Sequence, residues 1–231
     1  MDSIRDIFTN RTGRLLAAGL IVRIIYDSYD RLHVQKPAEL VNFFKIAADG
    51  LPDYYLEEQF IDEENYKVIA FSCGQFLISI ISEVELFLSD IIINTIIKYP
   101  KKIGKMNIDV SSIIQLGNYD EIIKHAAEKR VIEIMYKNPA EYKKDFLTTI
   151  SAPSNLLDEH WEFYTEAKAR RDLGIHNNWK INDTYKAKTL NSKFTHSDRI
   201  YASPSLKYVF SCRDNCVAMM DKILIHCEGK I

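Results

Sequence analysis

The chain has 231 residues, 47% of them hydrophobic and 27% charged, the make-up of an ordinary globular protein with a real core, and room for one generous domain or two small ones. Thirty basic side chains against 32 acidic ones give a net charge of −2, which excludes any global pull toward nucleic acid or anionic membranes and leaves such binding to a local patch. The four cysteines Cys73, Cys212, Cys216 and Cys227 do not suggest a disulfide framework in a chain this size, and helical rise sets Cys227 about 16 Å from Cys216, too far to share a metal. Buried, reduced thiols are expected, with no metal and no cofactor.

The start, "MDSIRDIFTNRTGR", lacks an apolar signal core, so a cytoplasmic protein is expected. Apolar periodicity predicts helices over about 12–33, 38–49, 64–98, 119–137, 139–150, 156–173 and 204–227, and no alternating strand run bounded by turns occurs. The expectation is an all-α chain forming a single helical domain over 1–231, with about 1–60 as an N-terminal helical extension. Asn138-Pro139 and Ser203-Pro204 each set a capping residue before a proline suited to a first helical position. "KYPKKIGK" (98–105) and 176–202 read as the main connections.

Val68–Ile97 is the most apolar stretch, but Gln75, Glu83, Glu85 and Asp90 interrupt it before a membrane-spanning length, so no membrane partner is expected. A polar stripe runs along this helix through Gln75, Ser79, Ser82, Glu83, Ser89, Asp90 and Asn94. Glu85 falls roughly 110° from its centre, among Ile78, Ile81, Leu88 and Ile92. A carboxylate there either finds a cationic or hydrogen-bonding partner or reaches water from the rim of the face. We expect Glu85 to be largely buried and within ion-pair reach of Arg171 or its neighbours.

The helix "DEHWEFYTEAKARRDL" (158–173) poses the matching problem. Trp161, Phe163, Tyr164 and Ala167 mark its apolar arc, while Glu162 and Glu166 point away and Arg170 can pair with the glutamate one turn back. Arg171 projects from the middle of the apolar arc. A guanidinium keeps its charge, so it needs an anion, with Glu85 and a bound phosphate as the two candidates. Gly174 is expected to stop the helix and let His176 swing back beside Arg171, with Asn177-Asn178 continuing the turn. The plain alternative is a capped helix end with a surface histidine.

Arg171-Asp172, three further residues and His176 resemble the signature of HEPN domains, an arginine followed after four to six residues by histidine. "WEFYTEAKARRDLGIHNN" with "WKINDTY" after it, and "SEVELFLSDII" (82–92) upstream, are similar to a bacterial HEPN-like group. The likeness covers roughly 65–228. Asp172 stands where asparagine is common, and Gly174 and Trp179 stand where the group often has an apolar residue and a glycine. The resemblance implies a HEPN-like antiparallel helical bundle with a long central helix, acting as a metal-independent endoribonuclease and working as a homodimer with a composite active site. The ribose 2′-hydroxyl would attack the adjacent phosphorus, leaving a 2′,3′-cyclic phosphate and a 5′-hydroxyl. His176 would be general base or acid, Arg171 would hold the phosphate, and Asp172 would orient one of them. Glu85, Arg170 and Asn177 would support them.

Between 168 and 193 seven cations face two anions. Lys168 and Lys180 are candidate RNA phosphate contacts, and Trp179 and Tyr185 candidate stacking surfaces, with Phe194 a further aromatic. Three readings stay open: a ribonuclease serving as toxin or phage-defence effector, with a neutralising antitoxin or defence-system protein as partner; a non-catalytic HEPN-like module binding RNA, nucleotide or a partner protein; and a helical scaffold.

Overall fold

The structure is a computed structural model that describes residues 3–35, 65–189, 200–228 and 230. Eight α-helices occur among them: α1 (Ile4–Gln35), α2 (Asn65–Lys98), α3 (Val110–Leu116), α4 (Tyr119–Met135), α5 (Pro139–Thr149), α6 (Asp158–Asn177), α7 (Asp183–Thr189) and α8 (Leu206–Cys227), with a 3-10 turn at Pro100–Ile103. The described residues are built of helices, as the periodicity predicts. The sole extended pairing among the described residues is an isolated antiparallel bridge between Lys180 and Tyr201. The helix expected over 38–49 lies outside the described residues, and no described helix is long and apolar enough to cross a membrane.

Local chemistry fixes the ends. Ser3 and Asp6 cap α1 reciprocally, each side chain accepting from the other's backbone N–H at 3.1 Å, so this helix starts well before residue 12. Asn138 caps α5 by accepting from Glu141 N at 3.0 Å, with Pro139 at the first helical position, as the sequence predicts. The last helix begins later than Ser203-Pro204 suggests: Ser205 takes the cap, accepting from Tyr208 N at 3.3 Å, and Ser203 is buried.

The chain divides into two compact units. The first comprises Met1–Arg11, Val84–Trp161 and Ala218–Ile231. Its core includes Phe87, Leu88, Ile91, Ala127, Ile134, Phe146, Met219 and Ile223. Phe8 meets Phe87 edge-on at 6.3 Å, and Tyr142 meets Trp161 at 5.0 Å, with the indole N–H donating to the Pro139 carbonyl at 3.0 Å. The second comprises Thr12–Glu83 and Glu162–Val217. It buries Leu15, Leu77, Ile80, Tyr164, Ala167, Leu173, Trp179 and Val209, and Phe76 packs edge-on against Phe210 at 5.9 Å.

All four cysteines are free and buried, as expected. Burial pushes the Cys73 thiol up to about 12 and the Cys227 thiol up to about 11. The contact with the Cys216 thiol, and then burial, raise Cys212. Since the thiolate is the reacting form, a thiol reagent near pH 8 should leave the native protein unmodified and label all four sites in denaturant. Rapid native labelling would contradict this packing.

Candidate active site

The polar end of α6 is built differently from what the sequence suggests. The helix does not stop at Gly174 but continues to Asn177, and the left-handed residues come after it, Asn178 at φ 48° and Trp179 at φ 62°. Trp179 N–H closes the end by donating to the Leu173 carbonyl at 3.0 Å, six residues back, and Lys180 N–H donates to the Asn177 carbonyl at 2.9 Å.

A tryptophan in left-handed backbone carries strain of about 1–3 kcal/mol and persists only where its surroundings fix it. Here they do. The indole is buried, and a Cβ built on Gly174 would stand 2.5 Å from it, one on Gly74 2.8 Å. Ala202 N–H donates to the Trp179 carbonyl and Ile181 N–H to the Ile200 carbonyl, both at 2.9 Å. Gly174 therefore serves close approach by the indole rather than helix termination. Gly174→Ala should destabilise the protein by about 1–3 kcal/mol through overpacking, although helix propensity alone favours alanine by about 1 kcal/mol. A denaturant melt decides the sign, and a gain in stability would contradict this role.

Because α6 is unbroken, Arg171 and His176 leave its axis roughly 140° apart, about 7.5 Å along it. The expected swing of His176 back toward Arg171 does not occur. His176 is exposed in the last turn of α6. Arg171 is mostly covered, its side chain 14% exposed, and its Nε lies 3.3 Å from Asp172 Oδ1. The other Asp172 oxygen lies 3.6 Å from Lys188 Nζ on α7. Arg171 and Lys188 thus share one carboxylate. Lys188 belongs to the positive stretch between 168 and 193, and its spacing from Asp172 carries no signal of this contact.

A second polar cluster on the same helix is buried. Arg170 and Glu166 pair at 2.9 Å, as the one-turn spacing predicts, but both are buried where a solvated face was expected. The Glu166 carboxylate accepts from Arg170 Nε, from the Tyr185 hydroxyl at 2.7 Å and from the Tyr208 hydroxyl. The Arg170 guanidinium lies 3.9 Å over the Tyr208 ring, which meets Phe163 edge-on at 5.5 Å. Burial pushes both tyrosine hydroxyls above their ordinary range; Arg170 opposes the rise and Glu166 adds to it. The Glu166 carboxylate gathers a cation and two hydroxyls, so the cluster ties α6, α7 and α8 together.

Several expectations change accordingly. Trp179 and Tyr185 are buried and offer no surface for stacking on bases. Trp161, Tyr164 and Ala167 are buried within the chain, so this arc is not open to a partner subunit. Glu85, expected to be largely buried, is half-buried in the first unit, where its backbone carbonyl accepts from the Ser89 hydroxyl at 2.8 Å. Its neighbour Glu83 takes a 3.3 Å ion pair with Arg14. Asn177 Nδ2 donates to the Lys180 carbonyl, which makes it part of the helix stop. Lys180 is exposed and Lys168 half-buried; Lys193 and Phe194 lie outside the described residues. His160 is buried in the first unit. Compared with family models, curated proteins and solved structures, the chain matches none.

Proposed function

We propose that this chain is a metal-independent endoribonuclease of HEPN type, acting as a cytoplasmic toxin or phage-defence effector held in check by a partner protein. The observation that carries the reading is the pairing of Arg171 and Lys188 on Asp172 along the helix that ends with the exposed His176. In the reaction the 2′-oxygen bonds to phosphorus, the bond to the 5′-oxygen breaks, the 2′-hydroxyl proton passes to a base and a proton passes to the leaving oxygen. Histidine suits either transfer near neutral pH. The two cations neutralise charge gathering on the phosphate. Purified protein should cut RNA in excess EDTA, spare DNA and leave 2′,3′-cyclic phosphate ends. Dependence on Mg²⁺, or products ending in a 3′-hydroxyl, would sink the mechanism.

A second reading rests on the unbroken α6. With Arg171 and His176 diverging on one helix, a chain that binds RNA, nucleotide or a partner protein without cleaving needs only the Arg171–Lys188 surface. Tight RNA binding with no cleavage product, unchanged by His176→Ala, selects it.

A further inference from the structure

The turn after α2 and the short helix α3 form a surface that the ribonuclease reading does not use. Between residues 98 and 117 stand Lys98, Lys101, Lys102 and Lys105 against the single carboxylate Asp109. Lys102 is structural: its ammonium donates to the Thr149 carbonyl at 2.8 Å and to Ser151 Oγ at 2.9 Å, pinning the turn. The Tyr99 hydroxyl donates to the Lys230 carbonyl at 2.7 Å. Its ring lies 5.8 Å from Lys98 Nζ and 5.5 Å from Lys102 Nζ, which gathers these cations. Lys98, Lys101 and Lys105 are exposed and make no ion pair among the described residues. Among the described residues these three cations are left without counter-charge.

The helix that follows has the opposite peculiarity. In α3 no residue is buried, and Val110 is 69% and Ile114 73% exposed, with Ile113 exposed beside them. Seven residues rich in β-branched side chains hold a helix poorly by propensity, and no burial compensates. The caps hold it instead. Asp109 accepts from Ser112 N at 2.8 Å and from the hydroxyls of Ser111 and Ser112, and Gly117 closes the far end in left-handed backbone. Turn and helix both pack on α4, and the loop joining them is tied there by Lys129, which donates to the Asn107 carbonyl at 2.8 Å. Exposed aliphatic side chains on a helix that follows, a few residues on, a turn with unpaired lysines, both packed on α4, fit a partner that is apolar just beneath an anionic surface.

We propose that the Lys98–Lys105 turn and α3 together bind the surface of an anionic lipid bilayer. Val110, Ile113 and Ile114 enter the boundary below the headgroups while Lys98, Lys101 and Lys105 meet their phosphates. Branched aliphatic knobs offer nothing for bases to stack on, which favours lipid over RNA at this surface. The inference is independent of the ribonuclease reading and requires no membrane-crossing helix.

The test is co-sedimentation of the full chain with phosphatidylcholine vesicles made with and without phosphatidylserine. The protein should pellet with the phosphatidylserine vesicles only, and less so as salt is raised. Ile114→Ser, and the double change Lys101→Glu with Lys105→Glu, should each weaken vesicle binding at least ~10-fold, while reversal at the exposed Lys207 leaves it unchanged. The substituted side chains are exposed, so melting temperatures should stay at the wild-type value, and RNA cleavage is scored separately. No vesicle binding, equal binding to neutral vesicles, or indifference to both variants overturns the proposal. So does a result in which Ile114→Ser breaks a dimer, or the lysine changes weaken RNA binding, with no effect on vesicles.

Discussion

Glu166→Ala should destabilise the second unit by about 3–5 kcal/mol, lowering the melting temperature by on the order of 10 °C for a chain this long. Arg170 is only 2% exposed and its guanidinium cannot shed its charge, so removing the carboxylate strands a buried cation. The Tyr185 and Tyr208 hydroxyls lose their shared acceptor in the same step, adding the cost of unsatisfied buried donors. The exposed pair between Lys222 and Glu159 gives the contrast, since Glu159→Ala should cost no more than about 1 kcal/mol. Replacing Glu166 and Arg170 together by methionine should recover much of the loss, because no unpaired charge remains. Urea melts of the four proteins decide the matter, and equal small effects for Glu166 and Glu159 would show that the cluster is not buried as described. The raised tyrosines set the sign with pH. Both hydroxyls are held neutral, so their contribution is complete below the ordinary tyrosine value near 10 and is lost as pH rises above it.

Arg171→Ala and His176→Ala should each lower RNA cleavage by at least ~10²-fold, the scale expected when a general acid or base or a phosphate-neutralising cation is removed. Neither substitution should unfold the protein: His176 is exposed, and the Glu166–Arg170 pair lies elsewhere on α6. The unbroken helix makes a stronger demand. Two groups leaving one helix roughly 140° apart do not readily serve one phosphorus, whereas a two-fold pair of chains can offer the arginine of one and the histidine of the other to a single cleft. Co-expressed Arg171→Ala and His176→Ala chains, isolated as the mixed dimer, should then cut RNA faster than either pure mutant. A protein that stays monomeric while cleaving, or a mixed dimer no faster than the mutants, defeats the shared site. Any such dimer must use a surface other than the Trp161–Tyr164–Ala167 arc, which the chain's own core already covers.

Periodicity, caps and spacing determined a good deal by themselves. The all-helical architecture, the Asn138-Pro139 start of α5, the Glu166–Arg170 pair and the burial of four reduced cysteines are all legible from local sequence. Each follows from contacts within a turn or two of helix, or from the general tendency of small thiols to be buried. What local sequence could not determine is which faces have neighbours. Glu166 and Arg170 look like a solvated pair because they sit opposite an apolar arc, yet α7 and α8 bring Tyr185 and Tyr208 onto that side and bury it. Gly174 looks like a helix stop because glycine so often is one, until the indole of Trp179 is seen against it. Trp179 and Tyr185 look like stacking surfaces in a positive stretch, but the first fills the space beside two glycines and the second satisfies a buried carboxylate. Lys188 meets Asp172 across two helices. Burial is set by everything that packs around a helix, whereas a helical wheel reports only the directions in which its own side chains leave the axis.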